Sequence, residues 1–384
     1  MAPKAIYLHI PFCTHKCFYC DFTAYVVEGQ PVEEYLTAID REMEVTVSQV
    51  PPGEIEAIFI GGGTPTVLNP SQMKRFLTSI RQYFPNWSPH IEYTIEANPG
   101  TTTPELLDVM REGGINRISF GAQTFREDLL KDIGRIHGVS DIERSVRQAR
   151  EAGFDNLSLD LMFGLPKQTV QDVKDTLERA VGLQPEHFSA YSLKVEEGTL
   201  FHHLYERKKL PLPSEDDEAQ MYLLTRQYLA EHGYDQYEVS NFAKPGRTSR
   251  HNKTYWYNQE YYGLGTGAHG YMDGVRFANI KGVKEYNARL QKGERPVAES
   301  YQVDRNEDIE NFMILGLRLM EGVSKDTFRE RYSIEMETVF GHVIVPWIEK
   351  GLLHWQGDRL VLTEQGLMFG NDVFASFLEN ARID

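Results

Sequence analysis

The sequence predicts an α/β fold: a parallel sheet that curves toward a barrel, followed by a smaller helical, winged-helix-like module. Three observations carry that prediction. Short β-rich runs alternate with helical stretches six times in the first half of the chain. The residues with chemical potential sit just after those runs, where barrel folds place their functional loops. Near residues 208–218 the texture changes to K-K-L-P-L-P-S-E-D-D-E, proline-bearing and charged, which reads as a loop or boundary.

The runs are A-I-Y-L-H-I (5–10), A-I-F-I (57–60), I-E-Y-T-I-E (91–96), R-I-S-F (117–120), L-S-L-D-L-M-F (157–163) and F-S-A-Y-S-L (188–193). Alternation at this spacing implies parallel strands joined by right-handed crossovers. Between them, residues 32–45 place Tyr35, Ile39 and Met43 on one helical stripe with charges opposite. Residues 104–114 start with Thr103 as N-cap and Pro104 at the first helical position, and stop at glycine. Residues 140–153 look capped by Ser140 and closed by Gly153. Residues 219–232 form a further helix. An aromatic, glycine-rich segment (237–271) follows. From about 305 come three helices, a hairpin turning at Q-G-D-R and a last helix. The expected organisation is residues 1–210 as a partial barrel, 211–300 as a connecting segment and 301–384 as the winged-helix-like module.

A net charge of −16 argues against a general nucleic-acid binder, and the last module repeats the bias, with 8 Lys+Arg against 15 Asp+Glu in residues 301–384. Hydrophobic residues at 41% suffice for a real core. Met1-Ala2-Pro3-Lys4 runs straight into the first strand without a signal-type apolar stretch, and no apolar run is long enough to span a bilayer. The expected setting is cytoplasmic.

All three cysteines, Cys13, Cys17 and Cys20, fall within eight positions after the first strand. An odd, tightly spaced set is no disulfide framework. A structural zinc site would need four donors, with His9 or His15 as the fourth. An iron–sulfur cluster held by three thiolates would keep one iron open for a small molecule that offers amine and carboxylate groups. Other residues suit such a site. Gly62, Gly63 and Thr64 follow the second strand, where glycine lets a backbone approach a ligand closely. Glu96 ends the third strand, where a carboxylate could meet a ribose or an ammonium. Asp160 interrupts an apolar strand, which is costly unless it is paired or ligand-bound.

C-x3-C-x2-C after a first barrel strand resembles the radical S-adenosylmethionine (SAM) superfamily. Y-L-H-I-P-F-C, G-G-G-T-P, I-E-A-N-P, S-F-G-A-Q-T-F, R-I-H and L-D-L-M-F-G-L-P-K-Q-T resemble its branch of oxygen-independent coproporphyrinogen III oxidases and HemW-type heme chaperones. The resemblance implies an incomplete (β/α)6 barrel. It implies a [4Fe-4S] cluster on Cys13, Cys17 and Cys20, and SAM bound by Tyr7, Tyr19, Gly62, Gly63, Thr64, Glu96, Gln123, Arg135 and Asp160. The oxidase pattern has a further cysteine one residue after the third, where this sequence has Asp21-Phe22, and a long arm before its cluster. Both departures turn the expectation from porphyrinogen decarboxylation to heme handling. H-N-K-T-Y-W (251–256) resembles the chaperones' HNxxYW motif, which makes His251 the expected heme ligand and His269 in G-A-H-G-Y a second candidate. Tyr255, Trp256 and Tyr257 would offer flat surface to a porphyrin. The implied partners are heme, heme-acceptor proteins at the membrane surface and a second copy of the chain. The rival readings are a coproporphyrinogen III oxidase and a structural zinc protein.

Overall fold

Six parallel strands in chain order form the centre of the molecule: β1 (Ala5–Ile10), β2 (Ile55–Gly62), β3 (Trp87–Ala97), β4 (Arg117–Gln123), β5 (Leu157–Phe163) and β6 (His187–Ser192). The structure is a computed structural model and describes residues 2–382. Each of the six expected strands is present. The sheet does not close into a barrel. β6 pairs antiparallel with β8 (Asn241–Ala243), which pairs with β7 (Asp235–Glu238). On the other side β1 pairs in parallel with β9 (Tyr261–Leu264). Antiparallel β10 (His269–Met272), β11 (Val275–Asn279) and β12 (Val297–Gln302) extend that edge, giving twelve strands in the order β12-β11-β10-β9-β1-β2-β3-β4-β5-β6-β8-β7.

The two faces of the six parallel strands differ in chemistry, because side chains alternate along a strand. One face carries Ile6, Leu8, Ile58, Ile60, Ile95, Ile118, Phe120, Leu157, Leu159 and Phe188, all buried against the outer helices. The other carries Tyr7, His9, Phe59, Glu92, Glu96, Arg117, Ser119, Ser158, Asp160, His187 and Ser189; register keeps them in rows, with Tyr7 beside Phe59, Glu96 beside Ser119 and Asp160 beside Ser189. Parallel sheets covered on both sides usually read as continuous apolar runs. A polar face inside one marks a chamber.

The helix Pro104–Glu112 begins as expected, with the Thr103 hydroxyl accepting the Leu106 N–H. Two expectations are corrected. The helix over 139–151 is capped at Gly138, whose N–H donates to Asp141 at 2.8 Å, so Ser140 lies inside the first turn. The acidic run after Ser214 is no loop: helix Glu215–Glu231 starts there, with four acidic residues against the positive end of its dipole.

Residues 305–377 hold helices Arg305–Gly316, Lys325–Tyr332 and Met336–Glu349, then the expected hairpin. Its strands β14 (Leu353–Gln356) and β15 (Arg359–Leu362) join β13 (Val323–Ser324) in a three-stranded sheet around a separate core that includes Ile309, Phe328, Phe340 and Leu360. Among the described residues no helix is long and apolar enough to cross a membrane.

The helix Arg250–Trp256, which carries H-N-K-T-Y-W, lies against the polar face. Glu92 on β3 accepts the Ser249 hydroxyl and the N–H groups of Arg250 and His251 at 3.0, 2.9 and 3.2 Å. Arg117 on β4 stands 3.5 Å from the same carboxylate, with 3% and 8% of the two side chains exposed. Glu92→Ala would leave Arg117 buried without its counter-charge and the helix start without its acceptor. Stability should fall by about 3–5 kcal/mol in urea unfolding, and a loss below about 1 kcal/mol would show that the contact does not hold the helix in place.

Candidate functional site

The cysteine loop lies between β1 and the helix Val32–Gln49 and folds on itself. Phe12–Cys13 pairs in parallel with Tyr25–Val26, and the Cys20 N–H donates to the Cys17 carbonyl. All three thiols are free; Cys13 is buried, Cys17 and Cys20 half-buried. Burial pushes the Cys13 thiol up, with the Thr64 hydrogen bond opposing. Burial likewise raises Cys20 to about 11, against the Phe22 backbone N–H. Among the described residues no three His, Cys, Asp or Glu side chains are placed to hold a single metal ion. Nor is His9 a spare donor for zinc. Its Nε2–H donates to the Thr23 carbonyl at 2.7 Å, which leaves Nδ1 to accept from Tyr7 at 2.9 Å.

A hydrogen-bond chain runs from the fourth strand's loop to the first thiol. Arg135 Nη1 donates to Asn98 Oδ1 at 2.8 Å, Asn98 Nδ2 to Thr64 Oγ1 at 2.9 Å, and Thr64 Oγ1 to Cys13 Sγ at 3.5 Å. Arg135 Nε is buried without a partner. Tyr19 lies beside Arg135; burial pushes its hydroxyl up and the guanidinium pulls it back. Gln123 ends β4 with φ of 65°. Its amide and Arg135 converge over Gly121, where an added Cβ would stand 2.9 Å from each. Gly63 is equally constrained, since its Cβ would stand 2.6 Å from the Phe12 carbonyl and 3.0 Å from Cys13 Sγ.

Two carboxylates share the chamber. Glu96 accepts the Gly62 N–H at 3.0 Å, and Gly62 needs its φ of +111° to present it. Asp160 accepts the Ser119 hydroxyl at 2.9 Å, and burial raises its carboxyl. So Cys13, Gly62, Gly63, Thr64, Glu96, Gln123, Arg135 and Asp160 face one chamber at the C-terminal ends of β1–β5, with Tyr19 on the loop above and Tyr7 beside it. Asn98, Gly121 and Ser119 belong to the same set and were not singled out from sequence, although E-A-N-P and G-A-Q-T contain two of them.

The residues present fit a thiolate-held cluster with SAM beside it. Three free thiols share one loop. A glycine cradle lies against one of them, where a side chain would fill the space. A buried guanidinium nitrogen stands unpaired, and two carboxylates stand ready for hydroxyl or ammonium groups.

His251 is placed differently from its expected role. It is 1% exposed, with its ring stacked on Phe59 (centroids 5.0 Å apart) and set edge-on to Tyr255 (4.9 Å). Its Nε2 is 2.7 Å from the Tyr255 hydroxyl, and Nδ1 is buried without a partner. Burial lowers its pKa to about 3. Trp256 and Tyr257 turn toward the C-terminal module: Arg318 lies over the Trp256 ring and the Tyr257 hydroxyl donates to Glu321. Tyr257 is exposed at the surface, and Tyr255 lines a cavity of about 340 Å³ that His269 also lines.

The Radical SAM superfamily profile matches residues 7–180, and the HemN C-terminal domain profile matches residues 303–369. Heme chaperone HemW of Bacillus subtilis (strain 168) is 44% identical over 98% of this chain and 99% of its own length. HemW of Lactococcus lactis (strain IL1403) is 40% identical over 98% and 97%, and that of Escherichia coli (strain K12) 33% identical over 98% and 99%. The chain belongs to the HemW family of the Radical SAM superfamily. That membership implies a [4Fe-4S] cluster and SAM. The structure of coproporphyrinogen III oxidase (HemN) from Escherichia coli superimposes with a TM-score of 0.87 at 23% identity, covering 98% of this chain and 90% of that one, and so shares its fold.

Burial, and then Asp160, push Glu96 from the ordinary 4.5 up to about 8, against the one N–H of Gly62. Folded protein therefore keeps a proton that the unfolded chain has released, and stability falls as pH rises from about 4.5 to 8. Glu96→Gln removes that slope. In urea unfolding of the ligand-free protein the variant should gain on the wild type between pH 5 and pH 8, and parallel pH profiles would refute the assignment.

Proposed function

We propose that this chain is a cytoplasmic heme chaperone that holds a [4Fe-4S] cluster, SAM and heme and passes heme to acceptor proteins, including acceptors at the membrane surface, with a homodimer among its states. The observation that carries this reading is the end-to-end match to relatives named heme chaperone HemW. Cys13, Cys17 and Cys20 would hold the cluster, which when bound supplies an open iron for the methionine part of SAM. The protein's own contribution is orientation. Thr64 fixes the Cys13 sulfur through the Arg135–Asn98 chain. Gly62 and Gly63 let the backbone approach, and the unpaired Nε of Arg135 is free for a carboxylate. Gln123 and Tyr19 close the sides, Glu96 and Asp160 offer acceptors to hydroxyl or ammonium groups, and Tyr7 separates this chamber from the cavity at Tyr255. The fold alone does not separate a chaperone from an oxidase, because the oxidase shares it. Asp21-Phe22, in the place of a further cysteine, favours the chaperone.

Anaerobic reconstitution with iron and sulfide, followed by titration with heme, tests the reading. The expected result is about four irons per chain, a brown charge-transfer absorption lost in Cys17→Ala, and a Soret band that saturates with heme. Release of carbon dioxide and protoporphyrinogen from coproporphyrinogen III, without a heme band, would overturn it in favour of the oxidase.

A further inference from the structure

We propose that Asn98 is a positioning residue that raises the reduction potential of the cluster, by fixing the direction of a hydrogen bond from Thr64 to the Cys13 sulfur. The proposal rests on the cluster-binding part of the function given above. The three hydrogen bonds from Arg135 through Asn98 and Thr64 to Cys13 can run in one direction only. A guanidinium has donors and no acceptor. Arg135 Nη1, 2.8 Å from the Asn98 amide, therefore faces its oxygen, which leaves the amide NH2 to face Thr64 Oγ1 at 2.9 Å. A hydroxyl carries a single proton. Because Thr64 Oγ1 already accepts from Asn98, that proton is aimed at Cys13 Sγ, 3.5 Å away. Thr64 is 1% exposed, so bulk water does not compete for it. Among the described residues no other side chain donates to a thiol; Cys20 receives the main-chain N–H of Phe22 instead.

Each member of this relay is held by its own main chain. Thr64 N donates to the Phe12 carbonyl at 2.7 Å and Gly63 N to that of Ile10 at 2.8 Å, which seats the hydroxyl beside the cysteine that follows Phe12. Asn98 opens the turn N-P-G-T. Thr101 closes it, with its N–H and its hydroxyl both donating to the Asn98 carbonyl, at 3.1 and 2.7 Å. Proline second and a glycine with φ of +84° third suit such a turn. Arg135 N donates to the Leu130 carbonyl at 2.8 Å. Gly121 leaves room where the two side chains meet, since an added Cβ would stand 3.3 Å from Asn98 Oδ1 and 2.9 Å from Arg135.

Hydrogen bonds to the ligating sulfurs are among the factors that set an iron–sulfur potential, and partners one layer beyond the ligands tune a metal site. A proton aimed at Cys13 draws negative charge from the sulfur and so favours the state that carries one more electron. That electron comes from an external reductant, and no bond in the protein is made or broken. Asn98 acts through Thr64: it accepts from Arg135, cannot turn its amide over, and so keeps the threonine proton on the sulfur.

The test is a potentiometric titration of the reconstituted full chain without SAM, with dithionite as reductant, read by electron paramagnetic resonance of the reduced cluster. Thr64→Ser should match the wild type. Thr64→Val should shift the midpoint to more negative potential. Asn98→Leu, which removes the amide at similar size, should shift it in the same direction, and adding it to Thr64→Val should cause no further shift, because the two act as one unit. About four irons per chain in every variant keep the comparison sound. A Thr64→Val midpoint equal to that of the wild type, a Thr64→Ser shift as large as that of Thr64→Val, or shifts that add in the double variant would overturn the assignment while the chaperone reading stands. If Thr64→Val takes up no cluster, Asn98→Leu decides: a negative shift supports the relay and an unchanged midpoint overturns it. If the wild type itself takes up no iron, the cluster reading falls and this proposal with it.

Discussion

A polar face inside a covered parallel sheet is the constraint on which the rest of this structure depends. Each charged or hydroxyl-bearing side chain on that face has left water, at a cost of the order of 1–3 kcal/mol for each group left unpaired and more for a charge. The fold answers in two ways. At the lower end of the strands Glu92 pairs with Arg117 and the start of the helix Arg250–Trp256, and His187 with Ser158 and Tyr237 at 2.8 and 2.9 Å, although Nε and Nη1 of Arg117 keep no hydrogen-bond partner. At the upper end burial raises both Glu96 and Asp160, Asp160 raises Glu96 further, and Arg135 keeps an unpaired nitrogen. The unpaired Arg135 nitrogen lies next to the chain that ends on the Cys13 thiol, which sets this end apart as the place for a ligand.

The helix that carries H-N-K-T-Y-W connects this chamber to the C-terminal module. Its first turn is bound to β3 through Glu92. Its far end meets the module: Asn258 Nδ2 donates to Asp308 Oδ1 at 2.7 Å, and Arg331 bridges Asp308 and the Asn258 carbonyl at 2.8 and 3.2 Å. The main chain adds two direct links, Val239 N to the Arg318 carbonyl and Met320 N to the Tyr237 carbonyl. The motif therefore works as a structural joint whose outward product is one ring, Tyr255. Its histidine faces inward because Phe59 and Tyr7 form an aromatic bed for it, and an imidazole kept neutral by burial stacks there without cost in charge.

Much of this was legible in the sequence, and the failures share a cause. The six strands were readable because each is a compact β-rich run between turn residues, and Asp160 stood out because a lone charge breaks an apolar run. Thr103 announced its helix because cap and Pro104 fall together. Ser140 misled because a hydroxyl is the usual cap, whereas the contact that won is Asp141 reaching back to Gly138, which depends on where the preceding chain enters. The Glu215 start was hidden by an acidic run that resembles a solvated loop until it is placed on a helix dipole. The open sheet was not readable at all, because β9 joins β1 across some 250 residues and no local pattern encodes that pairing. Glu92 and Arg117 lie on neighbouring strands on the same face, Glu92 two residues before Thr94, the register partner of Arg117, and such a pair becomes visible only once the register is known. The direction of His251 is of the same kind, fixed by rings on β1 and β2 rather than by its own neighbours in sequence.

Tyr7 ties the two candidate sites together. Its hydroxyl donates to His9, whose other nitrogen holds Thr23 in the cysteine loop. Its ring stacks on Phe59 at 6.2 Å and faces His251 at 6.2 Å, and it also lines the cavity that His269 borders. A ligand that orders the cysteine loop therefore acts, through Thr23, His9 and Tyr7, on a wall of that cavity, and a ligand in the cavity acts back along the same contacts. Coupling of this sort is reciprocal by thermodynamic necessity. Tyr7 is half-buried, and its ring contacts and its hydrogen bond to His9 tie it to the loop that His9 holds.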